Sequence, residues 1–251
     1  MSDAGGLRVI PVADLPEFAE GASVGDEIAT RAEILDGDVV VVSQKVVSKA
    51  EGRVRRLSSA IPSAEARRLA ALLGKEPNLV ELILEESREV LRAERGALIV
   101  ETHHGFVCAN AGVDSSNLPE PGTVSLLPED PDASARRIRA EIQAAAGRTV
   151  ATIVSDSFGR AWRLGQAEVA IGCAGIAPLD DWRGRTDAEG RELEATLIAV
   201  ADQAAAAADL VRDKTSRVPV AIVRGLDRFV TAEDGPGAIA LRRPPNEDLF
   251  R

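Results

Sequence analysis

The residues best suited to chemistry stand together at Ser155-Asp156-Ser157-Phe158-Gly159-Arg160-Ala161-Trp162-Arg163-Leu164-Gly165-Gln166. A carboxylate beside a hydroxyl suits a hard cation such as magnesium, and two guanidinium groups suit phosphate or carboxylate. The block follows an apolar run, Thr149 to Val154, that reads as a buried strand, so the acid and hydroxyl fall at the strand's end. A second acid, Asp114, also stands just past a strand candidate. Two carboxylates converging from two strand ends, completed by substrate phosphates, meet the ordinary demand of magnesium or manganese. Aspartate also forms turns well, so the same two acids can simply shape loops.

Other polar residues carry similar paired readings. Ser43, Gln44, Lys45 and Lys49 follow the run Val39–Val42; a lysine there can hold a phosphate as a point charge or stand solvated in a loop. Arg160 and Arg163 can clamp an anion or pair with surface acids. Trp162 can stack on a ring, but core filling is the plainer reading. His103 and His104 read as exposed residues of a hairpin tip.

The elements that must position these groups follow from periodicity. Leu7 to Val12 reads as a first strand, Asp26 to Leu35 as a helix, and Val39–Val42 as a strand buried on both faces. Ala64 to Leu73 and Leu79 to Arg92 have helical spacing. Ala97 to Glu101 and Phe106 to Ala109 read as a hairpin. A proline-bearing loop leads to a helix over Ala133 to Ala145, stopped by Gly147. Gln166 to Gly172 reads as a strand, Glu192 to Arg212 as a long alanine-rich helix, and Val218 to Val223 as a late strand. There is no internal repeat. Helices and strands alternate irregularly, which predicts an α+β (irregular mixed α/β) fold rather than a doubly wound sheet.

Composition narrows the function classes. The chain has 251 residues, 45% hydrophobic but only 3% aromatic, so its core must be aliphatic and alanine-rich. Forty acids against 30 bases give a formal charge of −10, which argues against a nucleic-acid or anionic-membrane binder while leaving room for one nucleotide in a local basic pocket. Cys108 and Cys173 lie far apart in apolar stretches and read as buried free thiols, in keeping with a reducing cytoplasm. Met1 to Gly6 carries no signal-peptide pattern, and no apolar run is long enough to span a bilayer. The P-loop, Rossmann, HExxH and GxSxG motifs are all absent.

Taken in order, five segments resemble the coenzyme F420 γ-glutamyl ligase family. They are Leu15-Pro16-Glu17-Phe18; Gly37 to Gly52, with Ser43-Gln44-Lys45 and Lys49; Ala111-Gly112-Val113-Asp114-Ser115-Ser116-Asn117; the Ser155–Gln166 block; and Ala170-Ile171-Gly172-Cys173-Ala174-Gly175. The likeness runs over roughly residues 7 to 226. It extends to the N-terminal ligase domain of the two-domain actinobacterial enzyme, in which a nitroreductase-like domain follows about where this chain stops. The resemblance therefore implies a ligase domain over 1–226, with room for two subdomains, and a linker-like segment over 227–251.

The same resemblance implies a ligase dependent on GTP and on magnesium or manganese, with one or two ions and potassium beside them. It would add L-glutamate by γ-linked amide bonds to the tail of coenzyme F420-0, and would work as an intertwined homodimer. By the family pattern Leu15, Pro16, Glu17, Phe18, Ser43, Gln44, Lys49 and Asn117 would contact GTP. Asp114, Asp156 and Ser157 would hold metal. By residue type, Lys49 and one or both of Arg160 and Arg163 would add fixed positive charge at the reacting phosphate. The sequence departs from the family at Gln44, where serine is common, at Ser157, where threonine is usual, at Ala161, in place of proline, and at Ala167-Glu168, in place of Thr-Asp. Lys214 stands near a second-metal ligand of some members, and a charged lysine does not coordinate a cation. Two other classes use the same residues: a metal-dependent phosphohydrolase, and a non-catalytic nucleotide-binding domain of a larger protein.

Overall fold

The computed structural model describes residues 6–212 and 215–248. The chain begins with β1 (Arg8–Pro11) and α1 (Val24–Arg31), then enters β2 (Val39–Ser43) and passes without a loop into α2 (Gln44–Ala50). Next come β3 (Val54–Arg56), α3 (Ala64–Leu73), α4 (Pro77–Glu85), β4 (Ser87–Glu94), β5 (Ala97–Thr102), β6 (Val107–Ala109) and β7 (Thr123–Ser125). The second half holds α5 (Pro131–Ala146), the long strands β8 (Ala151–Arg160) and β9 (Arg163–Ala174), the short β10 (Leu179–Asp181) and β11 (Leu197–Ala199), then α6 (Val200–Asp209) and β12 (Val220–Arg224). The architecture is mixed α+β, as the irregular order of elements predicts.

Five strands form the main sheet in the order β1-β12-β2-β8-β9. Its β2–β8 pair is parallel and its other pairs are antiparallel. The four valines of β2 explain its central place. Val39 to Val42 are fully buried, and β-branched side chains suit a strand covered on both faces. Val40 and Val42 pack with Ile28, Ile138 and Ile142 beneath α1 and α5. Val39 and Val41 face the other way, against Ala201, Ala204, Ala205 and Ala208 of α6. Burying one such side chain contributes about 1.5–3 kcal/mol, so this strand anchors both layers. The alanines of α6 let that helix lie close to the sheet.

Helix α5 has clear local causes. Asp130 accepts a hydrogen bond from the Ala133 N–H at the start, Pro131 occupies the first turn, and Gly147 ends it in the left-handed region at φ 66°. A second layer of structure, built from α3, α4, β4 to β6 and the β3–β7 pair, encloses its own core of Leu69, Leu82, Ile83, Leu98, Val100 and Leu126. Residues 227–248 pack back onto the main sheet. Ala238 is buried, and Arg139 of α5 donates to the carbonyls of Thr231 and Ala232 and to Asp234.

Several elements differ from the sequence reading. Helical spacing over Leu79–Arg92 is cut at Glu85; Ser87–Glu94 instead pairs with β5 as a bulged antiparallel strand. Pairing with the open edge of β5, whose other edge is taken by β6, outweighs local helix propensity there. The alanine-rich helix is ten residues, because Leu197–Ala199 pairs with Leu179–Asp181 before it starts. The strand entering the Ser155–Gln166 block does not end at Asp156 but continues to Arg160 along β9. Trp162 is 80% exposed rather than core. His104 is half-buried, bonded to the Pro128 carbonyl at 2.8 Å and stacked on Phe106, so it is not a solvated tip residue. Cys108 and Cys173 are both buried free thiols. Among the described residues no helix is long and apolar enough to cross a membrane.

Candidate active site

Ser43 of β2 stands directly opposite Ser155 of β8 in the parallel register. Ligands commonly gather outside the carboxyl ends of parallel strands, where the next elements diverge. Here the chain turns at once into α2, with Ser43 as its extended N-terminal flank. Lys45 and Lys49 lie four residues apart and so share one helix face. The structure places both toward the loop 114–117. The Lys45 Nζ lies 2.7 Å from Asp114 Oδ2 and donates to the Ser116 carbonyl at 3.1 Å. The Lys49 ammonium pairs with Glu17 and donates to the Asn117 carbonyl at 3.1 Å. Lys49 is thus helical and partly buried rather than a loop residue.

Glu17, Phe18, Lys49, Arg55, Leu118 and Thr123 line a cavity of about 420 Å³. Phe18 is buried in the wall, whereas Glu17 and Pro16 are exposed and Leu15 packs partly against the core. Gln44 is buried; its amide oxygen accepts from the Ser48 hydroxyl at 2.8 Å, and its amide nitrogen has no hydrogen-bond partner among the described residues.

The loop that presents Asp114 is strained. Asn110, Ala111 and Gly112 take φ of 54°, 55° and 71° in succession, and Asn117 takes 55°. Left-handed backbone at non-glycine residues costs of order 1 kcal/mol or more and collects at functional sites. Gly112 is required there, since a Cβ would lie 2.7 Å from the Leu127 side chain. Asp114 itself is fixed by the Ser116 N–H at 2.8 Å and the Ser116 hydroxyl at 3.0 Å. Burial pushes its carboxyl up, but the Lys45 and Ser116 hydrogen bonds outweigh this and hold it below its ordinary value.

Asp156 has the opposite electrostatics. Burial first, and the Glu168 charge second, push its carboxyl up to about 7; the Ser157 N–H opposes them, and the charges of Asp114 and Lys45 also reach it. Burial, with Asp156 as the next cause, pushes the nearby Cys108 thiol to about 12, which leaves it inert as a nucleophile at neutral pH. Two acids therefore face one region, one paired with a lysine and the other forming no ion pair among the described residues. That donor set fits a divalent metal. Among the described residues no three acid, histidine or cysteine side chains gather closely enough to cage an ion alone. Magnesium-type ions ordinarily take one or two carboxylates and complete their shell from phosphate and water.

Arg160 and Arg163 are not drawn into this cluster. Both lie on the exposed β8–β9 hairpin, where Arg160 donates to the Leu164 carbonyl at 2.5 Å. Lys214 lies outside the described residues.

A sequence profile described as F420-0:gamma-glutamyl ligase matches residues 13–225, and so spans every element of this site. The chain belongs to that family. It is 43% identical over 252 residues to the "Coenzyme F420:L-glutamate ligase" of Methanothermobacter thermautotrophicus, covering 98% of this chain and 99% of that protein. The proteins of the same description from Methanocaldococcus jannaschii and Archaeoglobus fulgidus are 42% and 44% identical, covering 95% and 98% of this chain and 94% and 96% of their own lengths. Membership in the F420-0:gamma-glutamyl ligase family makes the chain a ligase.

The sequence named Lys45 as a lysine able to hold a phosphate and Glu168 as a departure from the family pattern, but gave neither its partner, and it passed over Arg212. Lys45, the partner of Asp114, was signalled by its four-residue spacing from Lys49. Glu168 was signalled by being an acid in an apolar strand run and by departing from the family pattern; it accepts from the Ser157 hydroxyl at 2.6 Å. Arg212, buried and bonded to Glu168 at 3.3 Å, gave no sequence signal because the contact spans 44 residues.

Proposed function

We propose that this ligase joins L-glutamate to coenzyme F420-0 through a γ-linked amide, driven by GTP and one or two divalent ions, magnesium or manganese, with potassium as an accessory ion. Amide formation from a carboxylate and an amine needs the carboxylate activated; phosphoryl transfer from a nucleoside triphosphate supplies an acyl phosphate, and attack by the glutamate amine forms the amide as the acyl C–O bond breaks and inorganic phosphate leaves. The divalent metal, when bound, offsets charge on the phosphates in that transfer.

The chain's own residues divide this work. Asp114, Asp156 and Ser157 would hold the metal. Lys49 would give a fixed point charge to a phosphate, exchanging Glu17 for it. Leu15, Pro16, Glu17, Phe18, Ser43, Gln44 and Asn117 would line the nucleotide site, with Phe18 giving the cavity an apolar wall and the Gln44 amide nitrogen an available donor. Arg160 and Arg163 would bring cationic charge to the polyanionic substrates from the hairpin. The working form would be a homodimer of about twice the 26.4 kDa chain, in a reducing cytoplasm that keeps both thiols free.

The observation that carries this reading is the convergence of two lysines on one face of α2 with Asp114 and Asn117, beside Asp156, whose carboxyl is raised by burial, in a chain of this family. Mass spectrometry of the deazaflavin after incubation with GTP, manganese or magnesium, and L-glutamate tests it. Addition of glutamyl units is expected only when all three are present. GTP hydrolysis without glutamate incorporation would support a phosphohydrolase instead, and nucleotide binding without turnover a non-catalytic domain.

A further inference from the structure

Ser157 and Glu168 are direct cross-strand partners on β8 and β9, and such pairs lie close enough to interact. The Ser157 hydroxyl donates to Glu168 Oε1 at 2.6 Å. The other carboxylate oxygen, Oε2, accepts from Arg212 Nη2 at 3.3 Å. The same Nη2 donates to the Ser155 hydroxyl at 3.2 Å, and Arg212 Nη1 to the Pro219 carbonyl at 3.3 Å. The side chains of Arg212 and Glu168 are only 6% and 9% exposed.

A buried ion pair of this kind is a poor way to gain stability, since well-packed apolar residues often serve as well or better. Its geometry suggests another use. A hydroxyl has one proton and two lone pairs. With the proton committed to Glu168, the Ser157 oxygen can act only as an acceptor, which is the state a cation ligand requires. Each Glu168 oxygen already accepts one hydrogen bond, from Ser157 and from Arg212, so the carboxylate is held toward those two groups. Arg212 fixes the carboxylate and offsets its charge beside Asp156.

We propose that Glu168, clamped by Arg212, is a positioning residue that holds Ser157 in its metal-ligating rotamer and proton state. This rests on the reading of Ser157 as a metal ligand. Outer partners that orient a ligand commonly affect metal affinity about 10–100-fold when removed.

The test is titration of Mn²⁺ alone into the purified chain, followed by the electron paramagnetic resonance signal of the free ion, with a thermal melt of each variant. Ser157→Ala is expected to weaken Mn²⁺ binding at least about tenfold, Glu168→Leu by a similar factor, and Ser157→Ala/Glu168→Leu no further than the weaker single variant. Full multiplication of the two losses, or a folded Glu168→Leu with parental affinity, would overturn the positioning role. Parental affinity in Ser157→Ala would remove the ligand reading itself, and the positioning role with it. Should Glu168→Leu fail to fold, Glu168→Leu/Arg212→Met removes both charges together and carries the same expectation: weakened Mn²⁺ binding supports the role, and parental affinity overturns it.

Discussion

One twelve-residue block, Ser155 to Gln166, contributes to two regions with opposite physics. At its start Ser155, Asp156 and Ser157 sit against buried partners, with Glu168 and Arg212 satisfying their hydroxyls. At its end the hairpin from Arg160 to Gln166 is exposed throughout, with Trp162 at 80% and Leu164 at 97%. Both ends contain residues able to bind anions or cations, yet only the first is organised. The difference lies in coverage. Up to Ser157 the strand runs between α2, β9 and the segment holding Arg212, whereas past Gly159 it leaves the body of the protein. Polar residues become a precise site where neighbouring elements restrict their rotamers and exclude water. The same residue types on a projecting ribbon stay adaptable.

The sharpest test of this contrast is Asp156→Asn. Asparagine keeps the shape but not the charge, and ligation is expected to fall at least about 10³-fold, or about 4 kcal/mol in the barrier. The melting temperature gives an independent check. The Asp156 carboxyl is raised from 3.8 to about 7 in the fold, so the folded state binds more protons than the unfolded chain between those values. In metal-free buffer the parent should therefore lose stability as pH rises through that window, up to about pH 7. Asp156→Asn should lack this loss and melt higher than the parent at pH 8 by more than about 2 °C. A variant with parental turnover, or with the parental pH trend, would put Asp156 on the adaptable side of the comparison.

The next expected effect is on the packing behind the organised end. A Cβ at Gly172 of β9 would lie 2.1 Å from the Pro131 carbonyl oxygen at the start of α5. Gly172→Ala is expected to cost about 3 kcal/mol in a denaturant melt, because neither backbone can yield. Lys49→Ala comes third. Charged hydrogen bonds are worth about 1.5–3 kcal/mol, so the Michaelis constant for GTP should rise about 10–100-fold with little change in the melt. Normal GTP use would leave Lys49 as a partner of Glu17 and nothing more.

The smallest effect belongs to the hairpin tip. Leu164→Ser should change the unfolding free energy by less than about 0.5 kcal/mol, as surface substitutions do. A larger loss, with a concentration-dependent melt, would mean that a second copy covers the tip and would sharpen the dimer proposal.

Legibility from sequence followed the same division. Val39–Val42, the hairpin Ala97–Ala109 and the Gly147 stop were readable because composition and spacing within a few residues decide them. Ser87–Glu94 was not, since its residues suit a helix and only pairing with Ala97–Thr102 makes it a strand. The residues able to do chemistry were readable as types, and their order along the chain carried the family likeness. Which of them meet was not readable. Trp162 and Phe158 belong to the same block, yet one is exposed and the other contacts Phe106 edge-on at 6.1 Å.

By itself the sequence determined an aliphatic, mixed α+β ligase with acids, hydroxyls and lysines in a recognisable order, because residue type and local periodicity are properties of short segments. Only the tertiary structure decided that Lys45 takes Asp114 across 69 residues, that Lys49 takes Asn117, and that Arg212 closes on Glu168. Those contacts depend on how β2, β8 and β9 stack between two layers of helices, and burial there turns a weak preference for pairing into a requirement.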